Sequence, residues 1–169
     1  MVARLAPGVH YLTVGTGVMR ANVYFVGSGT SWALIDAGSR NSGPAIRTAA
    51  ESLFAAGSPP AAILLTHDHP DHSGAARELA QAWDVRVWVH PDELPMCLGD
   101  MTAYRRYAHP LDRWVILPIL RLMGTTRAEA ITSEASLAGV VQALDAAAAP
   151  PGLPDWEVMP TRGHTPGHV

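Results

Sequence analysis

Lysine is missing from this chain. All 12 basic residues are arginines, which excludes Schiff-base and other lysine-nitrogen chemistry. Cysteine is almost missing too. The single Cys97 cannot close an internal disulfide, so a reducing, cytoplasmic setting is expected, with Cys97 as a small apolar filler. Positive charge is in deficit: the net charge is −3 and the isoelectric point about 6.2, so the basic footprint of a nucleic-acid binder is not there. No apolar run reaches the ~18 residues of a membrane span. The opening Met1–Gly8 has no apolar core of the signal-peptide kind. With 48% hydrophobic residues in 18.0 kDa, the material for one core is present, and no internal repeat is visible.

Histidine, in contrast, is concentrated. Five of the eight histidines fall in two short segments. The first is His67-Asp68-His69-Pro70-Asp71-His72, three imidazoles and two carboxylates in six positions. Such a group is costly to bury as packing and suited to a metal, because neutral imidazole and ionised carboxylate are ligands for zinc, iron or manganese. In an extended chain residues two apart point to the same side, so His67 and His69 can grip one ion. Asp71 and His72 follow where the chain turns, and can serve a second.

The setting agrees. Ala61-Ala62-Ile63-Leu64-Leu65 is a short apolar run that reads as a buried strand. Ser73 reads as an N-cap, with Ala76, Leu79, Ala80 and Trp83 forming one helical stripe after it. The positive end of that helix would favour the Asp71 carboxylate. The second segment is Gly163-His164-Thr165-Pro166-Gly167-His168, preceded by a strand-like Trp156-Glu157-Val158-Met159. Residues 9–14, 21–27 and 31–36 read as early strands. Ser42-Gly43-Pro44 opens a helix with Ile46, Ala50 and Leu53 on one face and Gly57 past its end. Val85–Val89 reads as a further strand, and Ser133 as the cap of a helix carrying Leu137, Val140, Val141 and Leu144. Residues 91–131 read as a helical insert, interrupted at Pro118. Two readings of it stand side by side: a cap lining the substrate pocket, or a packing or dimer element. Arg105 and Arg106 in it can meet a substrate carboxylate or lie on a solvated helix face.

Thr66-His67-Asp68-His69-Pro70-Asp71-His72-Ser73-Gly74, together with Gly163–His168 and the earlier Asp36-Ala37-Gly38, resembles the metallo-β-lactamase superfamily of hydrolases. The resemblance runs from about residue 9 to the last residue. The form of the second motif, with Asn22-x-Tyr24 upstream, leans towards the glyoxalase II-like thioesterase branch. The resemblance implies an α/β fold, the αβ/βα sandwich of this superfamily, with its first half and the start of its second half present. It implies His67, His69 and His164 around a first metal ion, and Asp71 and His72 as part of a second site. Asp71 would be the catalytic carboxylate. Asp36 would orient a ligand histidine through a hydrogen bond. Asp68 and His168 would lie just outside the ligand set. His90, at a strand end, can look into the site but is expected to be no ligand, and His10 and His109 read as ordinary histidines.

The family also carries a bridging aspartate on a later strand and a final histidine beyond it. No carboxylate follows Glu157 here, so the expectation is an incomplete domain over residues 1–169, with an apolar sheet face partly uncovered and a tendency to self-associate as a homo-oligomer. Two zinc ions are expected in the complete domain, with iron or manganese as alternatives. Two ions about 3.5–4 Å apart would lower the pKa of a shared water. The implied activity is metal-dependent hydrolysis of a small acyl substrate, a thioester first. The alternatives are a lactone, a β-lactam or a phosphodiester on the same fold, or an inactive metal-binding fragment. The expected partners are a small-molecule substrate, no nucleic acid and no membrane.

Overall fold

The computed structural model describes residues 1–17, 20–28, 30–55, 57–100, 136–145 and 147–169. Seven strands form one mixed sheet in chain order: β1 (Ala3–Ala6), β2 (Val9–Val14), β3 (Ala21–Ser28), β4 (Ser31–Ile35), β5 (Ile63–Leu64), β6 (Val87–Val89) and β7 (Val141–Ala143). The first four pair antiparallel, and the last four pair parallel. Between the parallel strands lie α1 (Gly43–Leu53), α2 (Pro70–Ser73), α3 (Ala76–Trp83) and α4 (Leu94–Cys97).

The two-residue period of a strand sorts side chains onto two faces. Val23, Phe25, Trp32, Leu34, Ile63, Leu65, Val87 and Val89 share one core with Ile46, Ala49 and Ala50 of α1 and Leu79 and Ala80 of α3. Trp32 anchors it, stacked on Phe54 at 4.3 Å and edge-on to Trp83 at 5.7 Å. Strand residues of opposite parity, Val26, Ala33, Ala62 and Leu64, form a second cluster with Leu144 and Leu153. Tyr24, Ile35 and Trp88 pack there only half-buried. In β5 both faces are buried, Ile63 in the first cluster and Leu64 in the second, which is why residues 61–65 read as an unbroken apolar run.

The three early strands, the α1 helix, the 61–65 strand and the strand before His90 lie where the sequence places them, within a residue or two. Three expectations are corrected. Ser73 is not an N-cap. It closes the single turn α2, its Oγ donating to the His69 carbonyl at 3.1 Å, and α3 starts after Ala75. Among the described residues, therefore, no helix longer than the single turn α2 aims its positive end at Asp71. The expected helix over Leu137–Leu144 is a turn followed by β7, paired with β6, and its cap Ser133 lies outside the described residues. Edge pairing and the Arg77 and Arg86 side chains, which donate to the Ser136, Ala138 and Gly139 carbonyls, override the helical spacing. The strand expected at 156–159, the start of a second half, makes no ladder. Trp156 and Met159 stay exposed, and the segment instead lays Leu153 and Val158 across the second sheet face. Of the 91–131 insert only residues 91–100 are described, with the one turn α4. The cap reading, Arg105 and Arg106 fall outside.

Parallel strands β4, β5 and β6 all end on one edge. Asp36 follows β4, Thr66–His72 follow β5, and His90 follows β6. The carboxyl ends of parallel strands are where open α/β sheets place their ligand sites.

Candidate metal centre

Asp36 begins the site. Its backbone is left-handed (φ 60°), a conformation that costs a residue with a side chain about 1 kcal/mol or more. The structure holds it from several sides. Its N–H donates to the Leu64 carbonyl at 2.8 Å. Its carboxylate accepts the Thr66 N–H at 2.8 Å, the Thr66 hydroxyl at 3.0–3.1 Å, and lies 2.8 Å from His72 Nδ1. The Ala37 N–H donates to the His72 carbonyl at 2.7 Å. Gly74, next to this loop, has no room for a Cβ against Pro70 and the Ser39–Arg40 backbone. The β5–α2 loop is thus bolted to the end of β4.

This network also decides which imidazole nitrogens face the centre. Asp36 takes Nδ1 of His72, which leaves Nε2 turned inward, 3.6 Å from Asp71 Oδ2. Thr66 Oγ1 lies 3.0 Å from His67 Nδ1 and itself donates to Asp36. A proton on Nδ1 therefore suits His67, and its Nε2 carries a lone pair. That Nε2 is buried and has no hydrogen-bond partner. A buried acceptor without a partner is costly, and a cation would satisfy it. His67 (2% exposed) is the centre of the cluster, with ring centroids 4.6 Å from His69, 4.3 Å from His72, 4.8 Å from His164 and 4.9 Å from His168. Ligand nitrogens of His67, His69 and His164 lie within 4.8 Å of one another, a spread that one ion can gather. The donor set fits a borderline divalent metal.

Charge follows from this packing. Burial pushes His67 down to about 2, helped by the neighbouring His72, His69, His164 and His168, so it stands neutral. His72 goes the other way. Burial opposes its charge, but the Asp36 hydrogen bond and the Asp36 and Asp71 charges outweigh that and raise it. His168 is lowered by burial and by His164. Its Nδ1 pairs with Thr161 Oγ1 at 2.6 Å, which marks it as a flanking residue that holds the loop. Asp68 turns away from the imidazoles. Its carboxyl faces Ser73, Cys97 and Glu93, and burial raises its pKa. Cys97 is buried and its thiol is pushed up by burial, as suits a filler.

The structure thus brings together all five residues singled out in the sequence, with Asp36 beside them. It leaves His10 outside. His90 is buried at the end of β6, where its Nδ1 accepts the Asp92 N–H at 3.1 Å. Asn22 pairs with Thr13 across β2 and β3 at 2.7 Å, a strand contact. Two residues with no role in the sequence reading belong to the site: Thr66, which relays Asp36 to His67, and Glu93, whose carboxylate touches both histidine loops. Thr66 sits inside the motif and was open to notice. Glu93 carries no local signal beyond being an acid placed after a strand end.

The model of the metallo-beta-lactamase superfamily matches residues 16–169. A probable metallo-hydrolase of Bacillus subtilis, YflN, is 37% identical over 97% of this chain and 59% of its own length. A second, YqgX of the same organism, is 38% identical over 46% of this chain and 34% of its own. The chain therefore spans 59% or less of the length of these relatives. Among solved structures, a metallo-beta-lactamase of Cronobacter sakazakii superposes with a TM-score of 0.50 at 26% identity, over 59% of this chain and 38% of that one. A class B3 di-zinc metallo-beta-lactamase from an Alaskan soil metagenome gives 0.50 at 18% identity, over 59% and 36%, a likeness of fold alone. No helix among the described residues is long and apolar enough to cross a membrane. With the histidine cluster at the carboxyl edge of the sheet and a family match over nearly its whole length, the chain belongs to the metallo-beta-lactamase superfamily.

Proposed function

We propose that this chain is part of a metal-dependent hydrolase acting on a small acyl substrate, a thioester of the glyoxalase II-like kind first. One observation carries the metal reading: the orphaned, buried Nε2 of His67, with nitrogens of His69 and His164 close by. His67, His69 and His164 are the proposed ligands of a first zinc ion, and Asp71 and His72 of a second, with iron or manganese as alternatives. Bound divalent ions would supply Lewis acidity and a nucleophilic water near neutral pH. The chain's own residues do the rest. Asp36 and Thr66 hold His72 and His67 in the tautomers that present Nε2. Asp71, whose Oδ2 lies 3.6 Å from His72 Nε2, is the proposed catalytic carboxylate, as a residue that would help hold the second ion.

The thioester preference rests on chemistry and on the form of the motifs. A thiol of pKa about 8.5 leaves as thiolate without a proton donor, whereas an alkoxide needs one. The acidic charge balance weighs against a phosphodiester. A β-lactam is the second reading, favoured by the fold shared with the Cronobacter enzyme.

The activity is proposed for a chain of the relatives' full length. Such a protein, loaded with zinc, should cleave a glutathione thioester faster than a β-lactam, a lactone or a phosphodiester assayed beside it. Asp71→Ala should lower kcat/KM by orders of magnitude while the first-site zinc stays bound. Preference for any of the other three substrates ends the thioester reading. Purification without chelator that yields no metal ends the metal reading.

A further inference from the structure

Glu93 is a fully buried carboxylate with no part in the proposed ligand set (0% exposed). It sits just past β6, on the turn that opens α4, where its N–H donates to the His90 carbonyl at 2.9 Å and its own carbonyl accepts the Cys97 N–H at 3.1 Å. Its two oxygens go to two different loops. Oε2 accepts the backbone N–H of Asp68 at 3.1 Å, between His67 and His69. Oε1 accepts the backbone N–H of Gly167 at 2.7 Å, three residues after His164 and next to His168. These loops are about a hundred positions apart in the chain. The seat is tight: a Cβ on Gly167 would come within 2.8 Å of Glu93 Cγ and 2.9 Å of His90 Nδ1. Burying a carboxylate is expensive unless hydrogen bonds compensate it, and charge-assisted bonds to backbone N–H groups are short and strong. A buried amide or apolar side chain would hold a core at lower cost. What a carboxylate adds is two acceptors at a fixed separation.

We propose that Glu93 is a positioning residue for the metal centre. It braces the His67–His69 loop against the His164 loop, and so sets whether the third imidazole reaches the ion that the first two hold. Gly167 is the other half of the device, because only a residue without a side chain lets the loop reach the carboxylate. This inference rests on the metal reading above.

The test is zinc affinity of the full chain, measured by competition with a chromophoric chelator, together with the visible spectrum of the cobalt(II)-substituted protein. Glu93→Gln keeps the shape but offers one acceptor in place of two. It should weaken zinc by about 10-fold, Glu93→Ala by up to about 100-fold, and both should alter the cobalt bands, the range seen when groups behind metal ligands are removed. Gly167→Ala should behave like Glu93→Gln. Leu137→Ala, a buried core change, should lower thermal stability yet leave zinc affinity within about twofold. In a His164→Ala background the Glu93→Gln effect should shrink well below 10-fold, because the ligand whose place it sets is gone. An undiminished effect there, or zinc affinity and cobalt spectrum unchanged in Glu93→Gln and Gly167→Ala, overturns the proposal. If the unsubstituted protein binds no zinc, it is the metal reading that fails.

Discussion

Residues 66–74 and residues 163–168 bring histidines to the same point by different means. The first loop continues a buried strand and is tied to a neighbouring one. Thr66 and His72 are held by Asp36, the His72 carbonyl by Ala37, and Gly74 lies flat on residues 39–40. The second loop follows a stretch without a ladder, and His164 itself is exposed. It is fastened by Gly167 to Glu93 at 2.7 Å, Val169 to Thr66 at 3.2 Å, and the Thr161–His168 pair at 2.6–2.8 Å. One loop inherits rigidity from the core; the other borrows it through a few polar contacts. Changes in the first should therefore cost fold and metal together, and changes in the second should cost metal alone.

The largest effect expected is on metal. His69→Ala and His164→Ala should each weaken zinc by more than about 100-fold, beyond the usual range for residues behind the ligands. They should part company in the metal-free chain, where His164→Ala should leave the melting temperature almost unchanged. If His164→Ala melts as early as a variant of the Asp36 network, the contrast between the loops is wrong.

Next in size is that network. Asp36→Asn still tolerates the left-handed backbone but turns an amide N–H2 towards one of its donors. Leaving a buried polar group unmatched costs about 1–3 kcal/mol. The loss should be visible by urea unfolding of the metal-free chain, with no such loss for Thr161→Ala in the second loop. Equal losses would erase the difference.

The smallest effect, taken over a single pH unit, is a pH dependence with two signs. His67 is lowered from 6.5 to about 2 in the folded chain, so the unfolded chain binds a proton first as pH falls. Metal-free stability should drop from about pH 6.5 downward, by at most about 1.4 kcal/mol per pH unit from this group. His72 is raised, so its contribution is complete below 6.5 and is lost as pH climbs through its folded value. His67→Asn should flatten the acid limb of the stability curve. A limb as steep as before would place the acid sensitivity elsewhere.

Much of this is legible in the sequence alone. Local chemistry put the metal reading on five named residues, because ligand spacing on a strand and the turn after it is a property of a few neighbouring positions. The two-faced apolar run of 61–65 likewise announced a covered parallel strand. The errors share one cause. Leu137–Leu144 has helical spacing and Trp156–Met159 has strand composition, yet both are decided by what lies beside them: the free edge of β6 in one case, the second sheet face in the other. Ser73 has the right chemistry for a cap, but the tight turn needed to aim Asp71 and His72 consumed it.

By itself the sequence determined the histidine-rich candidate ligands, the family, the strands β2 to β4 and the helix opened by Ser42-Gly43-Pro44, since each is written in residues near in the chain. Only the tertiary structure decided how residue 164 meets residues 67 and 69, which nitrogen His67 and His72 present, and how an acid at 93 comes to be buried between two loops. Those depend on hydrogen bonds that close long loops, from Asp36 to Thr66 and His72 and from Glu93 to Asp68 and Gly167. The partners of such bonds are chosen by strand order, and strand order is a property of the folded sheet as a whole.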